Sequence, residues 1–470
     1  MIKKDMAESL DADTIVDDLA GAFTDARLNS RLARIVRSMA KDPSASWPSV
    51  CTSAELEGAY RFFSNIRVTP DAVLGPHFDR TRERASKESR TLVLHDTTDF
   101  TFRTDGARKG LGRSRKSMQT FYGHFSLVLA GDGTRRPLGI AEMMCWTRGP
   151  ERSGTEHARW LAQIQSTQAE LGLGTRTIHV CDREADDYYT FHELIAADTR
   201  FVIRAETKRW TVDEAGVAQK LHDAMASCEV VVGREADLSR RRQERSPTKA
   251  KSHPARAPRT AKLSVAAATI RLLRPQQYTR TFPDRGHVPP SIHINVVRVW
   301  EASPPEGCTP VEWFLYTNES IATAQDLLDV VDHYRARWVI EEYFKALKTG
   351  CAYESRQLED YESLLNALAV SAPIAYEALR VRTLARATPD AAASAVATDS
   401  EIEVLRALGR RPLPPHPTAR DVLLAIAALG GHIKYAPDPG WLTIFRGYQK
   451  LELLTQGWVA AKLQAHSDQR

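Results

Sequence analysis

The stretch Tyr334-Arg-Ala-Arg337-Trp-Val-Ile-Glu341-Glu-Tyr-Phe-Lys345-Ala-Leu-Lys348 sets four polar side chains at helical spacing. Arg337 follows Tyr334 by three residues, Glu341 follows Arg337 by four, and Lys348 follows Glu341 by seven. On one long helix these steps put all four side chains on the same face. The carboxylate can take a metal ion there, and the phenol and the cations can take phosphate oxygens. A solvated helix face with ordinary ion pairs is the alternative interpretation.

The sequence predicts that this helix is long and packed against a core. Thr323 followed by Asp326 resembles a capping box, and Gly350 stands where a glycine ends many helices. Between them, apolar residues recur with a helical period at Leu327, Val330, Val331, Ile340, Tyr343, Phe344 and Leu347. We therefore expect one continuous helix whose polar row faces a cleft.

Two further segments each end a strand-like apolar run on an aspartate. They are Thr91-Leu-Val-Leu-His-Asp96-Thr-Thr and Thr177-Ile-His-Val-Cys-Asp182-Arg-Glu-Ala-Asp186. Each aspartate alone can be a helix cap, which is common in α/β proteins. Together, Asp96, Asp182 and Glu341 can form a three-carboxylate cage of the kind used for phosphodiester cleavage and transfer. We expect this cage to bind two Mg²⁺ ions, with Mn²⁺ as a substitute.

With these motifs in order, the chain resembles the DDE transposases of bacterial insertion sequences, in the IS-four family that carries a Tyr-Arg-Glu-Lys signature. The signature matches Tyr334, Arg337, Glu341 and Lys348, and the family's Asp-Arg-Glu-Ala-Asp motif matches 182–186. Other matching segments are Asp96-Thr-Thr, Gly58-Ala-Tyr-Arg61-Phe, Phe201-Val-Ile-Arg204, Glu312-Trp313-Phe-Leu-Tyr-Thr and Ala427-Ala-Leu-Gly-Gly431. The resemblance covers about residues 20–465.

The resemblance implies a cut-and-paste transposase. Water would nick the element's end, the freed 3′-hydroxyl would form a hairpin, water would reopen it, and the end would then attack target DNA. Asp96, Asp182 and Glu341 would be both the catalytic residues and the metal ligands. Trp313 would stack on an extruded base, unless it is a core residue. The implied partners are double-stranded DNA (inverted repeats and target) and a second copy of the chain in a synaptic homodimer.

Side chains in four regions are expected to contact DNA. They are Tyr334, Arg337, Lys345 and Lys348; Arg204 at a strand end; Arg27, Arg31 and Arg61 near the N-terminus; and Arg240, Arg241 and Arg242. The last three lie in 239–262, where nine Lys or Arg face one acidic residue, Glu244. This composition indicates a flexible basic loop, with a solvated linker as the alternative. For the N-terminal arginines the alternative is a surface helix whose Arg stems cover apolar neighbours.

Length and composition fit a soluble protein of several domains. The 470 residues exceed one core, and 43% are hydrophobic and 26% charged. A net charge of +5 is mild for DNA binding, so the basic residues must be clustered to matter. Six Cys without a Cys-x-x-Cys pair indicate reduced thiols and no zinc site. We expect neither a signal peptide nor a membrane span, and a cytoplasmic, nucleoid-associated location in a bacterium.

We expect an α/β fold class: a ribonuclease-H-like catalytic core interrupted by a β-rich insertion, between helical N- and C-terminal domains. The predicted domains are 1–75 for binding DNA ends, 76–370 for catalysis with the insertion at 206–318, and 371–470 for dimerisation. The core prediction rests on the order β-β-β-α-β-α-β between 80 and 205. One side of the last helix is expected to form a dimer contact or to pack on its own domain, through Ile444, Tyr448, Leu451, Leu454 and Trp458.

Two other classes of protein stay open. A ribonuclease-H-like nuclease without strand transfer would use the same acids, but it would leave the Tyr-Arg-Lys face and the insertion without an obvious role. A non-catalytic DNA-binding inhibitor of transposition would not need the three acids, all of which are present. The sequence does not give the inverted-repeat sequence or the target preference.

Overall fold

The computed structural model describes residues 12–103, 106–113, 119–148, 156–205, 208–238, 255–276, 285–433 and 438–467. The helices in these residues are α1 (Ala12–Asp18), α2 (Ala26–Lys41), α3 (Trp47–Val50), α4 (Ser53–Phe63), α5 (Pro70–Ser86), α6 (Glu156–Leu171), α7 (Tyr188–Ala196), α8 (Leu221–Ala226), α9 (Ala324–Ala336), α10 (Trp338–Lys345), α11 (Tyr361–Ala387), α12 (Asp399–Leu408), α13 (Ala419–Leu429) and α14 (Trp441–Ser467). The strands are β1 (Thr91–Phe102), β2 (Gly112–Arg113), β3 (Gln119–Ala130), β4 (Pro137–Trp146), β5 (Thr177–Cys181), β6 (Arg200–Arg204), β7 (Trp210–Val212), β8 (Ala218–Lys220), β9 (Val232–Leu238), β10 (Arg259–Leu273), β11 (Ser291–Trp300) and β12 (Glu312–Thr317).

Many predicted elements are present at the expected places. The order β1, β3, β4, α6, β5, α7, β6 matches the predicted β-β-β-α-β-α-β, with the short β2 added. Thr323 and Asp326 form the predicted capping box, in which the Thr323 side chain accepts from the Asp326 backbone and Asp326 accepts from that of Thr323. The fold is therefore a mixed α/β fold, and the ribonuclease-H-like description remains a prediction.

The chain divides into two compact units. The first comprises Met1–Thr91, Asp96–Ser153 and Trp338–Arg470, and the second comprises Leu92–His95 and Gly154–Arg337. The three predicted domains remain a prediction, but the first cut, at residue 75, falls inside α5. A helix that crosses a predicted boundary holds the two sides together, so the N-terminal helices do not end there.

The core of the first unit surrounds α11. This 27-residue helix packs against α4, α5 and β4. Its length and apolar composition would let it cross a membrane, but 94% of its most apolar window is buried inside the protein. Burial in a core accounts for that composition. Next to it, β3 and β4 form an antiparallel pair, and the later residues of β1 pack on β3 through Phe100 and Phe121, whose ring centroids are 5.0 Å apart.

The second unit is built on a mixed sheet. Its strands lie in the order β1, β5, β6, β12, β11, β10, β7 and β8, and β9 pairs with the other end of β10. β5 and β6 run parallel, whereas β12 joins β6 antiparallel with Leu315 opposite Arg204. The predicted insertion is therefore β-rich, as expected, but its strands extend the sheet that carries β5 and β6. An apolar core including Tyr188, Phe191 and Tyr316 covers this sheet.

Three of the five apolar residues predicted to line one side of the last helix pack inside its own unit. Ile444, Tyr448 and Leu451 of α14 are at most 2% exposed, and α14 packs on α12 and α13 of the same unit. These three side chains are already used in the core of their own chain. The structure therefore uses these three residues as the notion of packing on their own domain predicts, whereas Leu454 and Trp458 are half-buried. A dimer contact along this helix stays a prediction.

Candidate functional site

Asp96 is held at the end of a buried run on β1. Residues Thr91 to Asp96 are all buried, and Asp96 is 8% exposed. Its Oδ1 accepts a hydrogen bond of 2.9 Å from the Thr97 backbone N–H. The Thr97 hydroxyl bonds in turn to His124 Nδ1 on β3 at 2.9 Å. Burial lowers the pKa of His124 to about 3, so a neutral ring supports the residue next to Asp96.

Asp182 stands directly after β5 and begins a short 3-10 turn, Arg183–Ala185. Its Oδ1 accepts from the Glu184 backbone N–H at 2.8 Å, and the side chain is half-buried. The helix-cap alternative is thus part of what this residue does. The cap uses the carboxylate oxygen Oδ1 of Asp182 and fixes the orientation of the group. The second carboxylate oxygen takes no part in this cap.

A hydrogen-bond chain joins α6 of the second unit to the strands β5 and β1. Gln168 Nε2 donates to the Gly174 carbonyl at 3.1 Å, which orients Gln168 Oε1 towards His179 Nε2 at 2.9 Å. His179 Nε2 therefore carries the proton, and His179 Nδ1 accepts from His95 Nε2 at 2.8 Å. Burial lowers the pKa of His179 to about 3, which agrees with a neutral His179 ring. Neither this hydrogen-bond chain nor His124 is among the residues predicted from the sequence.

The predicted continuous helix is wrong. α9 ends at Ala336 with Arg337 as its C-cap, α10 covers Trp338–Lys345, and a π-helical turn covers Ala346–Gly350. Tyr334, Arg337, Glu341 and Lys348 therefore lie on three consecutive segments, not on one straight helix face. Tyr334 and Arg337 belong to the second unit, and Glu341 and Lys348 to the first.

Tyr334 and Arg337 are buried, at 6% and 9% exposure. The Tyr334 ring lies 6.1 Å from that of Trp313, tilted by 59°. Trp313 is half-buried on β12, opposite Val299. The Trp313 ring is therefore neither fully buried in the core nor fully exposed to solvent. The open polar row expected at Tyr334 and Arg337 is not what this structure has, and their phosphate contacts remain predictions.

Both lysines of the signature region have acidic partners. Lys348 Nζ lies 3.5 Å from Asp99 and 3.8 Å from Glu354, and it bonds to the Asp99 carbonyl. Lys345 Nζ donates to Glu342 at 2.7 Å. These contacts join the end of α10 and the π-turn to their surroundings in the first unit. DNA contact by either lysine remains a prediction and would have to compete with these ion pairs.

The N-terminal arginines meet around a cavity of about 350 Å³ in the first unit. Four arginines line it together with Asp25, Glu57 and Gly58: Arg27, Arg31, Arg61 and Arg67. Arg61 pairs with Glu57 at 2.5 Å, and Arg27 and Arg67 lie 3.5 and 3.6 Å from Asp25. The Arg31 guanidinium occupies the place where a side chain at Gly58 would stand. The structure thus brings together the three arginines that the sequence singled out, and adds Arg67.

The other predicted DNA contacts have different positions. Arg204 is half-buried at the end of β6. Arg240, Arg241 and Arg242 lie outside the described residues. The basic loop predicted for 239–262 is wrong at its end, because β10 begins at Arg259. Arg259 donates to Glu301 at 2.7 Å through Nη2 and is mostly buried, so its charge is used inside the fold.

Comparison with known proteins adds two family matches and one similar solved structure. The family model "Transposase DDE domain" matches residues 89–374, which is more than half of the chain, and "Transposase DNA-binding" matches residues 18–68. The chain belongs to the transposase DDE domain family. Among solved structures, it is similar to the piggyBac transposase in a cryo-EM structure of its synaptic complex with hairpin DNA. That similarity has a TM-score of 0.32 and 10% identity over 69% of this chain, and the chain spans about half (52%) of the length of that protein.

The matched segments contain the residues described above. Asp96, Asp182 and Glu341 all fall within the DDE domain match, and Arg27, Arg31, Arg61 and Arg67 fall within the DNA-binding match. The donors at the three acidic positions are carboxylate oxygens, which suit hard divalent cations. DDE transposase domains use divalent metal ions, so the side-chain chemistry of this chain fits that requirement.

Proposed function

We propose that this chain is a DNA transposase of an insertion sequence, in the branch with the Tyr-Arg-Glu-Lys signature. It would bind the inverted-repeat ends of its element, cleave them by metal-dependent phosphodiester hydrolysis and hairpin formation, and join the 3′-hydroxyl ends to target DNA. The observation that carries the proposal is the DDE domain match over 89–374, which includes Asp96, Asp182 and Glu341. The DNA-binding match over 18–68 supplies the second part of such an enzyme.

Asp96, Asp182 and Glu341 would hold two divalent ions. We propose Mg²⁺ as the ion, with Mn²⁺ as a substitute. When bound, such ions supply Lewis acidity towards phosphate oxygens and the attacking water. The chain itself contributes orientation. The Thr97 backbone N–H and the Glu184 backbone N–H each fix one carboxylate oxygen, at 2.9 and 2.8 Å. A carboxylate aimed in this way loses little freedom when a metal binds.

DNA binding would begin at the arginine-lined cavity. Arg27 and Arg67 are 93% and 65% exposed at their side chains, so both reach solvent where a phosphate can approach. Trp313 would stack on an extruded base, which its half-exposed ring allows. The proposed partners are double-stranded DNA and a second copy of the chain, and the proposed location is the bacterial cytoplasm.

The test uses purified full-length protein and an end-labelled fragment of the genomic DNA that flanks its reading frame. Wild-type protein with Mg²⁺ is expected to nick this DNA at fixed positions, and EDTA to stop it. Asp96→Ala, Asp182→Ala and Glu341→Ala are each expected to abolish nicking while binding stays nearly intact. The reason is that each change removes a metal ligand and no surface cation.

The matched controls are Asp223→Ala and Glu83→Ala, which remove exposed carboxylates on α8 and α5. Both should nick at the wild-type rate. Denaturing gels separate the nick, the hairpin and the released end, and so distinguish transposase from a simple nuclease, which makes no hairpin. Nicking at near the wild-type rate by Asp182→Ala would show that the acidic set is not the active site.

A further inference from the structure

Three metal-ligating side chains meet on the second unit, outside the DDE acids. His192 and Glu193 stand on α7, and His287 lies in the segment before β11. One ligand atom from each lies within 4.8 Å of the other two. His192 and Glu193 are half-buried and His287 is exposed, so the cluster is open to solvent on one side.

The backbone around His287 is docked on α7 by contacts on both sides of it. Before it, the Arg285 guanidinium lies 3.8 Å from Asp187 and 4.2 Å from the centre of the Tyr189 ring. After it, Val288 is 1% exposed in the apolar core. The Tyr188 hydroxyl also donates to the Pro289 carbonyl at 2.9 Å. These contacts place His287 beside α7 without help from a ligand, which lowers the entropy that binding must overcome.

The imidazole rings of His192 and His287 lie next to each other but are not stacked in parallel. The His192 and His287 ring centroids are 6.3 Å apart and their planes make an angle of 57°. Tyr189 lies 6.2 Å from His287 in an edge-on arrangement and limits that ring from the other side. Rings tilted in this way can point one nitrogen each towards a common centre, whereas parallel stacked rings cannot.

We propose that His192, Glu193 and His287 form a binding site for a transition-metal ion of the Zn²⁺ class. Two imidazole nitrogens and one carboxylate oxygen are a common protein ligand set for Zn²⁺, with a fourth position left to water. Mg²⁺ prefers all-oxygen surroundings, so this site and the DDE carboxylates select different ions. A bound ion would join α7 to the segment that leads into β11, and would stabilise the second unit by mass action.

This site is independent of the proposed transposase activity, and the test does not require DNA. Full-length protein is stripped with EDTA, returned to buffer with excess Mg²⁺ to occupy the carboxylates, and titrated with Zn²⁺ by calorimetry. One Zn²⁺ per chain is expected. His192→Ala and His287→Ala should each weaken that binding by about 100-fold, since loss of a ligand costs at least as much as loss of a supporting group.

Two controls assign the ion to its ligands. His293→Ala removes an exposed histidine on β11 and should leave Zn²⁺ binding unchanged. Asp182→Ala should also leave it unchanged. Zn²⁺ is expected to raise the melting temperature of the wild-type protein but not that of His287→Ala. Because His287 is exposed, this substitution should not disturb the fold. Tetrahedral Co²⁺ absorption, present in wild type and lost in both histidine variants, would support the site. Zn²⁺ binding that survives in both variants, or is lost only in Asp182→Ala, would overturn it, as would no binding by wild type.

Discussion

Two adjacent glutamates on α10 have different roles that their spacing does not reveal. Burial by itself would raise the pKa of Glu342. Hydrogen bonds from Lys345 and Arg382 outweigh this effect and lower the pKa to about 2. Trp441 Nε1 also donates to Glu342 at 3.0 Å, and the Arg382 guanidinium lies 4.4 Å from the centre of the Trp441 ring. Glu342 thus ties α10 to α11 and α14.

We therefore predict that Glu342→Gln destabilises the protein. At pH 7 the loss in the free energy of unfolding should be about 2 kcal/mol. This figure converts the lowering of the Glu342 pKa from 4.5 to about 2 into free energy, and reduces it because the side chain is 29% exposed. The midpoint of urea unfolding measures it. Glu83→Gln, at an exposed position of α5, is the matched control and should change stability by less than about 0.5 kcal/mol.

The same pair of proteins gives a pH test with a definite sign. The pKa of Glu342 is lower in the folded than in the unfolded chain, so its stabilising effect is complete above about pH 4.5 and is lost as the pH falls towards 2. The gap between wild type and Glu342→Gln should therefore narrow steadily from pH 5 to pH 3 and close only near pH 2. A gap that stays constant over this range would mean that the carboxylate charge does not carry the effect.

Gln168 offers a second residue-scale prediction. It accepts the only proton that His179 Nε2 can donate in the tautomer described above, and His179 is fully buried while Gln168 is half-buried. Gln168→Leu leaves that N–H buried without its acceptor, which should cost about 1–3 kcal/mol. Gln165→Leu changes an exposed position three residues earlier on α6 and is expected to be nearly neutral. Equal stability of the two variants in thermal unfolding would contradict the hydrogen-bond chain.

Residue type and spacing mark Asp96, Asp182 and Glu341 in the sequence as candidate metal ligands, and that assignment stays a prediction. The supporting groups are not visible in the same way. His95 and His179 are 84 positions apart, and Thr97 and His124 are 27 apart. Each looks like an ordinary strand residue, and only the pairing of strands reveals its partner.

At the scale of elements, the break at Arg337 has a signal in the sequence. Continuing the first apolar stripe by one heptad from Val331 would bury Trp338, yet Trp338 is 63% exposed. The second stripe starts instead at Ile340 and continues through Tyr343 and Leu347. A shift in the phase of the stripe indicates two helices with different buried faces. The residues of both stripes are visible in the sequence, but the prediction of one continuous helix treats them as a single stripe.

Gly350 was expected to end a helix, and the structure gives another reason for it. It is the last residue of the π-turn, and the ring of buried Phe445 on α14 lies against it. An added Cβ would overlap that ring. We predict that Gly350→Ala costs about 1–3 kcal/mol through overpacking.

Two further variants test this explanation. Gly457→Ala lies on α14 with no atom near its added Cβ, and should instead gain up to about 1 kcal/mol from helix propensity. Phe445→Leu combined with Gly350→Ala should recover part of the loss, as a double-mutant cycle would show. Strict additivity of the two changes would mean that Phe445 is not the obstacle.

At the scale of the whole molecule, the least predictable feature is how the strands after β6 are used. Their alternation and turn residues predict a β-rich segment, and the segment is β-rich. The local sequence of these strands does not indicate that β12 pairs with β6, with Thr317 opposite Val202. That pairing spans 115 residues, so it depends on the assembled sheet. The predicted insertion is therefore an extension of the sheet that carries β5 and β6.

Charge at the same scale gives the last prediction. The net charge of +5 is small, so binding to DNA has to come from clusters such as the arginine-lined cavity. Arg27 and Arg67 lie 3.5 and 3.6 Å from the shared Asp25, which are longer ion-pair distances than the 2.5 Å from Arg61 to Glu57. If each neutralises one phosphate, the double variant Arg27→Ala/Arg67→Ala should reduce the slope of log K against log salt concentration by about 1.8. Arg446→Ala, an exposed arginine on α14, should leave the slope unchanged. Fluorescence anisotropy on a random duplex over a salt series measures both slopes. Equal slopes for wild type and the double variant would place the DNA elsewhere on this chain.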